Sequence, residues 1–165
     1  MGVINLAAQS RITTNPADAH LKRLFPNAAT ISTHAGTPLH WKIYSVDPKT
    51  DPKAAPSAFA FWTTDVVPYE RGYNGPTHMF VGMDTSGVIV GAITDFSTDP
   101  YADFSVYPPE FGAQFKGKSI RAPFRVGDDI HAVSRATLTI SSATRAIRDS
   151  ARTMAKLFLN PADVK

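Results

Sequence analysis

The chain has 165 residues, 43% of them hydrophobic and 19% charged, which fits one globular domain and excludes a disordered, collagenous or coiled-coil chain. Its 17 Lys/Arg against 14 Asp/Glu leave a net charge of +3, too small an excess to imply nucleic acid as a partner. The absence of cysteine excludes disulfides, thiolate chemistry, Fe–S clusters and Cys-ligated zinc, and no apolar run approaches the roughly 20 residues that span a bilayer.

The opening Met1-Gly2-Val3-Ile4-Asn5-Leu6-Ala7-Ala8 carries neither the charged n-region nor the full apolar core of a secretory signal. Residues 15–27 read as a short helix. Asn15 and Pro16 supply the cap and first turn, Asp18 suits the helix dipole, and Ala19, Leu21, Leu24 and Phe25 make an apolar face ended by Pro26. Residues 41–46 alternate as a half-buried strand, 47–57 form a proline-rich surface loop, and 58–64 return as a strand. Residues 77–83 and 88–93 pair as a β-hairpin around Asp84-Thr85-Ser86-Gly87, where Gly87 is free to take a positive φ. Residues 95–110, with three prolines and four aromatics, read as an irregular ordered loop. A helical turn at 111–115 and a short strand near Ser119-Ile120 follow.

The strongest periodic signal is the last. Ala143, Ile147, Met154 and Phe158 recur at helical spacing, with Ala146, Ala151 and Leu157 on the same broad face. Ser141 or Ser142 is the expected cap, and Asn160-Pro161 the stop. The sum is a single α+β domain over residues 1–165, with its core at about 20–160. It is a mostly antiparallel sheet with a hairpin, a short N-terminal helix and a closing C-terminal helix.

The chemistry points to the segment just before that last helix. Residues 128–142 are dense in hydroxyls and small side chains, and Ser134, Arg135, Ala136, Thr137 and Thr139 sit where a helix begins. The first amides of a helix lack internal partners and its dipole is positive there, so such a place accepts phosphate. Arg135 can add a charge-assisted, bidentate bond to the same group. Ser and Thr also serve as ordinary helix caps, and these residues alone do not separate the two readings.

Ser134-Arg135-Ala136-Thr137 resembles the Ser/Thr-Gly-Ala-Thr signature of the FMN-binding domains in Rnf and Na+-pumping NADH:quinone oxidoreductase subunits. It is closer still to the first domain of NosR-type membrane regulators of nitrous oxide reduction. Leu24-Phe25-Pro26-Asn27-Ala28, Gly72-Tyr73-Asn74-Gly75-Pro76, Val81-Gly82-Met83-Asp84-Thr85-Ser86-Gly87 and Gln114-Phe115-Lys116-Gly117-Lys118 follow the family order, so the resemblance covers roughly residues 20–160.

By resemblance, a flavin transferase esterifies the FMN phosphate to Thr137. Ser134, Arg135, Ala136 and Thr139 then surround the phosphate, and Tyr73, Gly75 and Tyr101 meet the ring. The family's acid six positions before the threonine is replaced by His131, its glycine by Arg135, and its His-x-Glu-Thr-Pro-Gly loop by Phe96-Ser97-Thr98-Asp99-Pro100-Tyr101. FMN bound without a covalent link therefore stays open. The resemblance implies an electron carrier rather than an enzyme with its own turnover. It also implies a periplasmic location and redox partners in the membrane. The alternative is a non-catalytic interaction or sensory module of the same fold.

Three other readings are weaker. His20, His34, His40, His78 and His131 show no i,i+4 pairing or acidic cluster of the kind a zinc site uses. Ser134 and His131 lack a nucleophile elbow. Arg145, Arg148, Arg152 and Lys156 form a basic stripe that could meet phosphate backbones or anionic lipid, but such a stripe is ordinarily a solvated face.

Overall fold

The computed structural model describes residues 17–165. The expected cap at Asn15-Pro16 and the opening segment lie outside the described residues. Five strands form an antiparallel sheet in sequence order: β1 (Thr30–Ile31), β2 (Trp41–Tyr44), β3 (Ala58–Trp62), β4 (His78–Asp84) and β5 (Ile89–Phe96). Helix α1 (Ala17–Leu24) covers one face, and the long α5 (Thr137–Phe158) covers the other. Short helices α2 (Thr63–Val66), α3 (Ala102–Ser105) and α4 (Pro109–Ala113) lie between them in the chain. The fold is α+β.

β3 is buried at every position, and β4 at all but its last. Side chains alternate across a strand, so a strand with no solvent face must feed two cores. Phe59, Phe61, Met79, Val81 and Met83 enter the α5 side with Ile140, Ile147 and Met154. Ala60, Trp62 and Phe80 enter the α1 side with Leu21, Trp41 and Ile43. Gly82 and Gly91 pair across β4 and β5 and open room for α1. A Cβ at Gly82 would lie 2.7 Å from the Phe25 ring, and one at Gly91 2.5 Å from Leu24.

The hairpin turn forms as its sequence dictates: Gly87 has φ of 73°, and Asp84 Oδ1 accepts the amides of Ser86 (2.8 Å) and Val88 (3.0 Å). β5 runs three residues beyond the expected end at 93, and α3 and the start of α4 fall within the stretch expected to be irregular. The strand expected to reach residue 64 stops at Trp62. Thr63 Oγ1 donates to Thr77 O and accepts from Met79 N, both at 3.2 Å, so its hydroxyl replaces the next ladder bond and the chain turns into α2. The strand expected near Ser119-Ile120 is an isolated bridge to Val88.

α5 ends just before the expected stop at Asn160-Pro161, but its start and the burial of its last turn differ from the sequence reading. It begins at Thr137, so Ser141 and Ser142 lie within it. Ser142 Oγ donates back to Thr139 O at 3.0 Å, which satisfies the hydroxyl without breaking the helix. Ala143, Ala146, Ile147, Ala151 and Met154 are buried as expected, whereas Leu157 is 56% exposed and Phe158 37%. Phe158 lies at the rim, stacked on Phe59 of β3 at 5.7 Å and tilted against His40 at 4.6 Å. Ile147→Ala, at a fully buried position, should cost about 2–5 kcal/mol in urea unfolding. Leu157→Ala should stay within about 0.5 kcal/mol of the parent.

Candidate functional site

The N-terminus of α5 is built by a turn at Ser134-Arg135, closed by Ala136 N to Val133 O at 3.1 Å. Arg135 has φ of 70°, the left-handed region that glycine takes freely and other residues enter at a cost of roughly 1–2 kcal/mol. Ala136 is fully buried in the core and holds the turn in place, while Ser134, Arg135 and Thr137 are exposed. The helix ladder starts with Ile140 N to Ala136 O at 2.9 Å. The amides of Thr137, Leu138 and Thr139 precede that bond, and the cap residue, an alanine, offers them no side chain. No acidic residue stands in the first turn. The result is a positive helix end whose first two residues are exposed, with Thr137 at its first position and the exposed Arg135 two residues before it.

Behind this end lies a residue that the sequence reading passed over. Asp99 is 5% exposed, and its Oδ2 accepts from Tyr73 N (3.1 Å) and from Thr139 Oγ1 (3.0 Å). Its Oδ1 accepts from Asn74 N at 2.8 Å. Three segments therefore meet on one carboxylate: the loop 72–75, the loop after β5, and the first turn of α5. Gly72 is required here, because a Cβ on it would sit 1.9 Å from Asp99 Oδ2. Asn74 Nδ2 adds a bond to Thr98 O at 3.0 Å, and Gly72 N bonds Gly75 O at 2.8 Å. The usable sequence signal was the glycine pair around Tyr73-Asn74 together with an Asp-Pro step, a turn that needs an acceptor.

The expected site residues separate into three groups. Thr137, Ser134 and Arg135 share the exposed helix end. Tyr73 and Tyr101 come together edge to face at 6.2 Å, and Phe104 continues the line at 5.9 Å from Tyr101. Tyr73 is 61% exposed and so is not a core aromatic. Gly75 is buried in its turn. Thr139 does not face an outside ligand: it is fully buried and its hydroxyl is given to Asp99. His131 is exposed and stands outside the Asp99 junction, held through its amide to Gln114 Oε1 at 2.7 Å.

Comparison with known proteins adds no homologue to this geometry: no family model matches the chain, and no curated protein matches it.

The basic stripe on α5 is largely engaged within the chain. Arg145 bonds Glu70 (2.7 Å), Arg148 bonds Asp149 (2.7 Å), and Arg152 bonds the carbonyls of Ile120 and Ala122 at 2.9 Å. Among the described residues no group of three or more His, Asp or Glu could hold a metal ion. Four of the five histidines, all but the exposed His131, pack against other rings instead. His20 pairs with Asp95 at 2.9 Å in the core beneath α1, His34 stacks on Trp41 at 3.8 Å, and His40 packs against Phe158.

His78 stacks on Trp62 at 4.1 Å, with Nδ1 2.5 Å from Thr64 Oγ1. Burial holds its pKa below the ordinary 6.5, against the pull of Asp95 and Asp65 and with a push from His20. The unfolded chain therefore takes up a proton at His78 before the folded chain does. Its contribution to stability is intact above the ordinary histidine pKa and is lost as pH falls toward the depressed folded value. Urea midpoints measured between pH 7.5 and 5 should fall on the acid side for the parent, and this fall should be smaller in His78→Gln.

Proposed function

We propose that this chain is an FMN-carrying electron-transfer domain with the phosphate seated at the first turn of α5. The observation that carries the reading is the open helix end. Three amides precede the ladder, no side chain caps them, Thr137 presents its hydroxyl at the first helical position, and Arg135 stands beside it. The left-handed φ at Arg135 gives the resemblance further support, because glycine occupies that place in the flavin-domain signature. A dianionic phosphate monoester suits this end, which has no carboxylate in its first turn.

Each part of the chain has a distinct task under this reading. The amides of Thr137 and Leu138, the two exposed residues of that turn, bind the phosphate oxygens. Arg135 neutralises charge, and Thr137 Oγ1 is the atom available for a phosphoester. Tyr73, Tyr101 and Phe104 supply an aromatic wall that keeps water from one side of the ring. When bound, FMN supplies one- and two-electron transfer, and no side chain is required to act as a general acid or base. A flavin transferase for maturation, membrane-bound redox partners and a periplasmic setting belong to the same proposal. They rest on the resemblance.

The test is the absorption spectrum of the purified chain, produced with and without a flavin transferase, before and after denaturation. Flavin bands that stay with the denatured polypeptide, and are lost in Thr137→Ala, are the expected result. Yellow released on denaturation means non-covalent FMN at the same helix end. A chain that stays colourless in every preparation overturns the proposal and leaves an interaction module, for which the exposed Tyr73 and Phe104 are the natural contact surface. Arg135→Gly separates backbone from charge. It should leave the melting temperature unchanged or raise it, because the strain is relieved. It should also weaken non-covalent FMN binding about 10- to 100-fold, through loss of the charged bond.

A further inference from the structure

We infer that Asp99 is the positioning residue of this site, setting the phosphate end and the aromatic wall at a fixed spacing; the inference rests on the reading of α5 as the FMN seat. The argument starts from where its three donors lie. Tyr73 gives its own amide to Asp99 Oδ2, so the backbone bearing one ring is bound directly. Tyr101 follows Asp99 by two residues. Thr139, whose hydroxyl meets the same Oδ2, follows Thr137 by two residues on the first turn of α5. One carboxylate thus holds the three segments that carry the ring contacts and the phosphate anchor.

The chemistry at Asp99 requires an acceptor on both oxygens. Oδ1 receives Asn74 N at 2.8 Å, and Oδ2 receives Tyr73 N at 3.1 Å and Thr139 Oγ1 at 3.0 Å. An ionised carboxylate has only acceptor sites, whereas a primary amide has one accepting oxygen and one donating nitrogen. In Asp99→Asn, whichever way the amide is turned, one of the two backbone N–H groups faces a donor. Among the described residues no Lys or Arg lies within ion-pair distance of Asp99, so its polar partners are hydrogen-bond donors. A longer side chain does not fit either, because Oδ2 already fills the space a Cβ on Gly72 would need.

The upstream supports of Asp99 are also fixed. Its amide donates to Ser97 Oγ at 3.3 Å. Ser97 is held from both sides by Tyr107, whose hydroxyl accepts from Ser97 N (2.9 Å) and donates to Ser97 O (3.2 Å). The carboxylate is therefore delivered from a braced strand end. Without the Asp99 carboxylate the loop 72–75 keeps its Asn74 Nδ2 bond to Thr98 O but loses both backbone anchors, so it is the part that loosens when Asp99 is altered.

The experiment pairs Asp99→Asn with the near-isosteric Thr139→Val and reads two quantities in each. In flavin-free protein, amide hydrogen exchange followed by NMR should accelerate about tenfold or more at Tyr73 and Asn74 in Asp99→Asn, while core amides such as Phe61 and Val81 keep their rates. On titration with FMN, Asp99→Asn should bind about tenfold more weakly or worse, with brighter flavin fluorescence as the aromatic wall disengages. Thr139→Val, which removes one donor and keeps the carboxylate, should show the FMN effect in smaller measure and leave the Asn74 amide protected. Uniform acceleration across the chain, or unchanged exchange at Tyr73 and Asn74, overturns the inference. So does unaltered FMN affinity and fluorescence in both variants. A parent chain that takes no FMN sinks the flavin reading by itself, and the exchange rates still decide whether Asp99 holds the loop. If Asp99→Asn does not fold, FMN affinity in Thr139→Val decides alone, and unchanged affinity there overturns the inference.

Discussion

The β3–β4 pair has no solvent face, and most of the architecture follows from covering it twice. Strands with alternating inward sides on both faces need a layer above and a layer below. α5 provides the larger layer, with small residues at Ala143, Ala146, Ser150 and Ala151 that let its backbone lie close. α1 provides the smaller one, in the space left by the facing glycines 82 and 91. α5 has 22 residues, about 33 Å at 1.5 Å per residue, whereas β4 has seven, about 24 Å at 3.4 Å per residue. The helix is longer than the strand it covers. Its last turn exposes Leu157 while Phe158 still packs on Phe59 of β3. Its first turn is tied to the loops 72–75 and 97–101 through Asp99.

At that first turn the contacts between segments are largely polar. Tyr101 is packed against the α5-side core, whereas Tyr73 on the facing loop is exposed, so apolar contact secures the two loops unevenly. Asp99 supplies the constraint with three charge-assisted hydrogen bonds, each stronger than a neutral one. Exact placement comes with sensitivity. A buried carboxylate that loses its donors, or donors that lose their acceptor, costs about 1–3 kcal/mol per group or more. The same end of the molecule carries the left-handed Arg135. Packing of the buried Ala136 next to it maintains that conformation against its strain.

Local signals were legible in the sequence and distant ones were not. The turn at Asp84-Thr85-Ser86-Gly87 is decided by residues within the turn itself, and the hairpin forms where its sequence places it. The inner face of α5 follows from its 3.6-residue period. Its start does not, because Ser141 and Ser142 read equally well as caps or as helical hydroxyls bonded one turn back. The end of β3 depends on Thr63 finding Thr77 and Met79 at the entry to β4. Asp99 was hardest to see, because its donors lie 25, 26 and 40 residues away and its own neighbourhood reads as a loop. Thr139 was misplaced for the same reason: a threonine at the third helical position can face outward to a ligand or inward to an acceptor, and the acceptor is on another segment.

The two features at this end push in opposite electrostatic directions. Arg135 and the free amides make the first turn of α5 positive, while Asp99 places an ionisable carboxyl behind it, reached through the Thr139 hydroxyl. If anchoring the helix were the only task, an ordinary Ser or Asp cap at position 136 would bind the free amides and remove the need for both. The chain has a buried alanine there instead, so the amides remain unclaimed from within. The carboxyl is kept on the side-chain face of the third residue, where it orders the surrounding loops without occupying the amides. A helix end held from behind and left open in front can accept an anion without first rearranging. That preorganisation lowers the ordering cost of binding, and it is the physical property a phosphate-anchored cofactor draws on.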